Sequence, residues 1–208
     1  MKNTDSTLEV ETFDSSLHNF YLIGEIDEEG YVDFLKKWNN MISSDESIIS
    51  NNSSVFEECG FFVDPASALK VAYPPINIYL NTYGGDIYDG LAYYDLIKST
   101  QPYLKNVYCS GKVMSMGIPI LLAGTKKYAY ENTTFLIHQA SSFSEGKVGD
   151  MEDDVKEAKR LNNILFNIIS KNTDIKIEDL RDIYKTKKDF IIDAKEALKL
   201  KLIDEIIK

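Results

Sequence analysis

Apolar and polar positions first settle into a pattern at Phe20-Tyr-Leu-Ile-Gly-Glu-Ile26, whose aromatic and β-branched side chains predict a strand. Residues 1–19 before it carry Thr, Ser, Asn and acidic side chains without apolar periodicity and read as a mobile arm. The spacing predicts a short helix over 30–41 with Val32, Leu35 and Trp38 turned inward, together with part of Phe34 and Met41. Residues 43–52 (SSDESIISNN) are polar and loop-like, and the whole stretch 42–75 reads as an insertion. The signal sharpens from Ile76. A β-rich run over 76–80 leads into a turn over 81–86 (NTYGGD) and then a helix over 87–99. A strand over 106–111 and a compact apolar helix over 115–124 repeat the unit, with Pro119 early enough in the helix to be tolerated. Two further strands are expected at 127–130 and 134–138. They precede a long amphipathic helix over 149–172 with Val155, Ala158, Leu161, Leu165 and Ile168 on one face. Short helices over 177–184 and 194–200 flank a last apolar run at 190–192. Strands alternating with helices predict an α/β fold with largely parallel pairing, as one domain over 20–208.

Composition narrows the classes of function. The 208 residues are 44% hydrophobic and 12% aromatic, enough for a packed core. A net charge of -10 opposes a general grip on phosphate backbones, so nucleic acid is not an expected partner. Cys59 and Cys109 stand fifty residues apart with no His or second Cys near either, which is not metal-ligand spacing. The N-terminal residues lack the basic-then-apolar order of an export signal, and the longest apolar run, 118–123, is far too short to span a bilayer. A cytoplasmic setting is the expectation.

Three local features invite a catalytic reading. Gly84-Gly85 lies between an apolar strand and a helix, where consecutive glycines let backbone N–H groups converge on an anion; alone it is more often a tight turn. Ser115 in Gly111-Lys-Val-Met-Ser-Met-Gly117 stands at the first turn of an apolar helix, where free N–H groups favour an oxyanion; alone it reads as an N-cap. His138 ends the run Thr134-Phe-Leu-Ile-His; alone it is a satisfied strand-end histidine. Scarcity strengthens the combination. A serine nucleophile needs a base, and the chain has two histidines, of which His18 sits in the polar arm, leaving His138. Spacing alone does not pick a third member from 33 carboxylates.

At these residues the sequence resembles the proteolytic subunit of the Clp protease (ClpP). The resemblance rests on Ile78-Tyr-Leu-Asn-Thr-Tyr-Gly-Gly85, Asp95, Gly111, Ser115-Met-Gly117, Ala123-Gly124, Ile137-His-Gln139, Asp189-Phe-Ile-Ile-Asp-Ala-Lys-Glu-Ala197 and Leu202-Ile-Asp204. It implies a crotonase-like spiral of ββα units in which the helix over 149–172 projects as a handle between rings. It further implies Ser115 as nucleophile, His138 as base, Asp189 as acid, and the backbone N–H groups of Gly85 and Met116 as oxyanion hole. Unfolded polypeptide would be the substrate, within a homo-oligomeric ring or double ring served by an AAA+ unfoldase, and cleavage itself needs no cofactor. Lys187-Lys188 stand where the family often has Asp-Arg at contacts between rings, and Lys201 replaces a Gly at a left-handed helix cap. The family's N-terminal helix has no clear counterpart.

Two other readings compete. A crotonase-type acyl-CoA enzyme also uses a Gly-Gly-Asp turn, here Gly84-Gly85-Asp86, but has no use for Ser115 and His138 together. A non-catalytic ring subunit would hold its neighbours in register without turnover, and hydrolysis of a generic peptide separates it from the protease.

Overall fold

The computed structural model describes residues 14–58, 73–140 and 146–208. Strand β1 (Asn19–Ile26) is followed by helix α1 (Glu28–Glu58), strand β2 (Ile76–Gly85), helix α2 (Ile87–Ser99), strand β3 (Lys105–Met114) and helix α3 (Gly117–Ala123). Strands β4 (Lys126–Tyr130) and β5 (Thr134–Ile137) precede helices α4 (Val148–Asn172) and α5 (Ile177–Thr186), strand β6 (Phe190–Asp193), helix α6 (Ala194–Lys199) and strand β7 (Glu205–Ile207). One sheet runs β1-β2-β3-β4-β7 in parallel, as the alternation of strands and helices leads one to expect. Strand β3 forks. Its first half, Asn106 to Cys109, pairs with β4, and its second half, Lys112 to Met114, pairs with β5. The register against β2 slips between Leu80 and Thr82, and Gly111 takes φ 63° at this point, so the end of β3 is turned away from β4 toward β5.

Period-two alternation divides the central strands. Ile76, Ile78, Leu80 and Thr82 of β2 and Val107, Cys109 and Val113 of β3 are buried beneath the helices. The other face carries cross-strand ladders of identical side chains. Tyr21, Tyr79, Tyr108 and Tyr128 stack at 5.1, 5.3 and 5.0 Å between centroids, and Asn106 donates to Asn77, which donates to Asn19.

The insertion and the arm differ from expectation. The loop-like residues 43–52 lie within α1, and the inward face of that helix is Phe34, Trp38, Met41 and Asp45, while Val32 is exposed. Phe20, Phe34, Trp38 and Tyr93 form an aromatic cluster that docks α1 beside β1, with ring centroids about 5 Å apart. His18 is buried: its Nε2 lies 2.9 Å from Asp45 Oδ2, which also accepts from the Tyr103 hydroxyl at 2.7 Å. This network explains why a polar helix persists, since Asp45 is matched by donors from two distant segments. Residues 1–13 of the arm and 59–72 of the insertion, Cys59 included, lie outside the described residues. The turn expected at 81–86 is also corrected. Strand β2 stays extended through Gly85 because that glycine pairs with Ile26 of β1, and Asp86 then caps α2 by accepting from the N–H groups of Tyr88 and Asp89. Lys201 takes φ 57°, the left-handed cap expected of it.

Candidate active site

The site is built at the fork of the sheet. Beyond Met114, the last residue of β3, Ser115 takes φ 52°, and Met116 rather than Ser115 is the N-cap of α3, with no side-chain capping bond. The structure therefore removes the capping explanation for the serine. A non-glycine residue with this φ carries strain, here on a strand-to-helix turn. The turn is held by its backbone: Ser115 N–H donates to Leu136 O at 2.9 Å, and Ser115 O accepts from Ile118 N–H at 3.0 Å. Two glycines make room for it. A Cβ on Gly84 would lie 2.6 Å from Ser115 Cβ, and one on Gly117 would lie 2.6 Å from Thr82 Cγ2. Strand β2 consequently lies directly against the serine, with Gly85 next along the chain.

His138 arrives from the neighbouring strand. The bond to Leu136 O fixes Ser115 beside β5, and His138 follows two residues after Leu136. Ser115 and His138 line one cavity, whose remaining wall is apolar: Ile87, Ile118 and Pro119 on one side, Ile137 with Ala140, and Leu165, Phe166 and Ile169 from α4. The other histidine is excluded from such a role by its buried pairing with Asp45. Asp189 is placed by register. Strands β5 and β6 are antiparallel with Ile137 opposite Phe190, so the next residues outward on the two strands are His138 and Asp189. Asp189 is exposed and does not line the cavity, and among the described residues no hydrogen bond joins the three side chains. Such bonds commonly tighten only around bound substrate.

The structure also shows parts of this region that sequence pattern did not single out. Phe166 and Ile169 join Leu165, already expected on the apolar face, on the buried side of α4, which includes Leu161 and Asn162 but not Val155. Tyr88, in the first turn of α2, donates to Glu157 Oε1 at 2.7 Å, and Arg160 grips the same carboxylate through Nε and Nη2. These hydrogen bonds, from Arg160 first and Tyr88 second, hold the Glu157 carboxyl down to about 2. Asp89, one residue on, has its carboxyl pushed up by desolvation and by the nearby charges of Asp86, Glu28 and Asp27. Among the described residues there is no cluster of three or more His, Cys, Asp or Glu side chains able to hold a metal ion.

A family model described as Clp protease matches residues 68–208. The chain belongs to the Clp protease family. Among curated proteins, it is 38% identical over 135 residues to the ATP-dependent Clp protease proteolytic subunit of Deinococcus radiodurans, covering 64% of each chain. It is 38% identical over 136 residues to ATP-dependent Clp protease proteolytic subunit 2 of Frankia casuarinae, covering 64% of this chain and 61% of that one. The chain thus spans just under two thirds of the length of these Clp relatives. Among solved structures, a ClpP1 point mutant from Listeria monocytogenes superimposes with a TM-score of 0.70 at 25% identity, covering 93% of this chain and 92% of that one. The Clp protease fold, with its sheet and helices, accounts for the architecture described above.

Proposed function

We propose that this chain is a serine endopeptidase of the Clp type. Ser115 attacks the scissile carbonyl, His138 takes its proton and passes it to the leaving amine, and water then releases the acyl group. Asp189 holds the imidazole in the tautomer that this transfer needs. The backbone N–H groups of Gly85 and Met116 stabilise the tetrahedral oxyanion. The observation that carries the reading is Ser115, strained on the turn leaving β3, sharing one cavity with His138. The antiparallel register, in which His138 and Asp189 come next beyond the paired Ile137 and Phe190, supports the third role.

The substrate is unfolded polypeptide, reached inside a homo-oligomeric ring or double ring. Support comes from α4, whose first half runs into solvent with Val148, Met151 and Val155 exposed at 73, 41 and 52%. An apolar face on a projecting helix calls for a neighbour. An AAA+ unfoldase would deliver the substrate, in keeping with the names of the ATP-dependent relatives. Among the described residues no helix is long and apolar enough to cross a membrane, and we place the enzyme in the cytoplasm. One peptidase domain over 20–208 would carry these functions, with 42–75 as an inserted stretch that begins within α1 and with His18 of the preceding arm buried against Asp45. Turnover of a fluorogenic peptide by the purified chain, lost in Ser115→Ala, tests the reading. The variant should fold normally, because the hydroxyl does not cap α3. Turnover that survives the substitution would refute it.

A further inference from the structure

Asn162 lies on the buried face of α4, between Leu161 and Leu165, with 3% of its surface exposed. A buried amide is costly unless its polar atoms are bonded. Both are bonded here: Oδ1 accepts the backbone N–H of Ala140 at 2.8 Å, and Nδ2 donates to Ala158 O at 2.8 Å. The second bond stays within the helix and sets the orientation of the amide, so that the oxygen is the end offered to Ala140. Packing alone does not require an amide at this position, because an apolar side chain of similar volume would fill the same space without polar atoms to satisfy. What the amide adds is a tether on the segment just beyond His138. Strand β5 ends at Ile137, where its pairing with β6 also ends, and His138, Gln139 and Ala140 continue past the ladder. Ala140, His138, Leu165, Phe166 and Ile169 line the same cavity as Ser115, so the tether joins the wall of the cavity to the segment that carries the base.

We infer that Asn162 is a positioning residue for His138: its side chain fixes Ala140 against α4 and thereby holds the imidazole over Ser115. The inference rests on the triad reading above. Losing the tether displaces the base without removing any group that touches substrate. A displacement of about 1 Å in a catalytic group lowers turnover by on the order of 10²-fold. No group proposed to contact the substrate is removed, so KM is left nearly unchanged.

The test compares Asn162→Leu, which cannot accept the Ala140 N–H, with Asn162→Asp, which keeps an acceptor oxygen there. Asn162→Ser, too short to reach Ala140, replaces the Leu variant should that one fail to fold. The two histidines allow the position of the base to be read without activity, by ¹H–¹³C NMR of the imidazoles. In the Leu or Ser variant the His138 resonances should move while those of buried His18 stay in place, and kcat for a fluorogenic peptide should fall on the order of 10²-fold with KM little changed. Asn162→Asp, which keeps the acceptor but sets a second oxygen against Ala158 O in place of the Nδ2 donor, should recover part of the lost kcat. Unmoved His138 resonances with wild-type kcat in the Leu or Ser variant would overturn the assignment while leaving the triad intact. Peptide turnover that survives Ser115→Ala would instead remove the triad reading, and the role of Asn162 with it.

Discussion

Replacing Gly84 with alanine strikes at the contact that shapes the proposed site. Gly84 has φ 103°, and an added Cβ would stand 2.6 Å from Ser115 Cβ and 3.1 Å from Met114 O. Carbon atoms pack comfortably at about 3.5–4.0 Å, so β2 and the serine turn must part by about 1 Å. Neither neighbour gives way easily, since one is the first side-chain carbon of Ser115 and the other is backbone. The left-handed conformation costs alanine roughly 1–2 kcal/mol and forced movement of packed atoms roughly 1–3, for a stability loss of about 2–5 kcal/mol. For catalysis, a shift of that size in the nucleophile should lower turnover on the order of 10²-fold in the fraction still folded. Urea unfolding followed by the fluorescence of Trp38, the single tryptophan, measures the first effect, and initial rates on a fluorogenic peptide measure the second. Lys37→Ala serves as control. It removes an exposed i,i+4 pair with Asp33, should change stability by about 0.5 kcal/mol or less, and should leave turnover alone. Wild-type turnover in Gly84→Ala would refute the claim that β2 packing sets the position of Ser115.

Three other outcomes follow from the structure. Asp45→Asn should destabilise the fold by about 1–3 kcal/mol in urea unfolding, because the amide offers the buried His18 and Tyr103 a weaker acceptor; an unchanged stability would contradict the network. The Glu157 carboxyl, depressed to about 2, should keep its bonds to Arg160 and Tyr88 at neutral pH. Its contribution is complete above the ordinary value of 4.5 and is lost as pH falls through about 2, so an NMR titration of this carboxyl with a midpoint near 4.5 would contradict its bonds to Arg160 and Tyr88. Val155→Asp, on the projecting half of α4, should lower the oligomeric mass seen by light scattering at micromolar concentration, and an unchanged mass would remove that face from the assembly.

Local patterns were legible where an element's pattern follows its own burial. Residues 87–99 and 149–172 were read as helices from apolar spacing, and α2 and α4 occupy nearly those bounds. Residues 43–52 were not legible as helix, because what holds them is distant. Asp45 reaches His18 and Tyr103, separated from it by 27 and 58 positions, while Ser47 and Ser53 bond back to carbonyls one turn earlier. The same network hid the burial of His18. The Gly84-Gly85 pair was seen as a turn because consecutive glycines favour one, whereas its use here is a close approach of β2 to β1 and to Ser115. Ser115 and His138 could be paired from scarcity, since only two histidines exist. Asp189 came from family resemblance, and the β5–β6 register that supports it depends on a pairing across more than fifty residues. Asn162 looked like any polar residue on a long helix, although an amide between Leu161 and Leu165 on an apolar face was the signal available.

The central claim is that Ser115 is a nucleophile activated by His138, and the most direct measurement is the site of covalent labelling by a serine-reactive fluorophosphonate, read by peptide mass spectrometry. The account predicts a single adduct on Ser115 that is lost in His138→Ala, since the hydroxyl then lacks its base. An intact, folded chain that takes no label at Ser115, or takes it there equally well without His138, would contradict it.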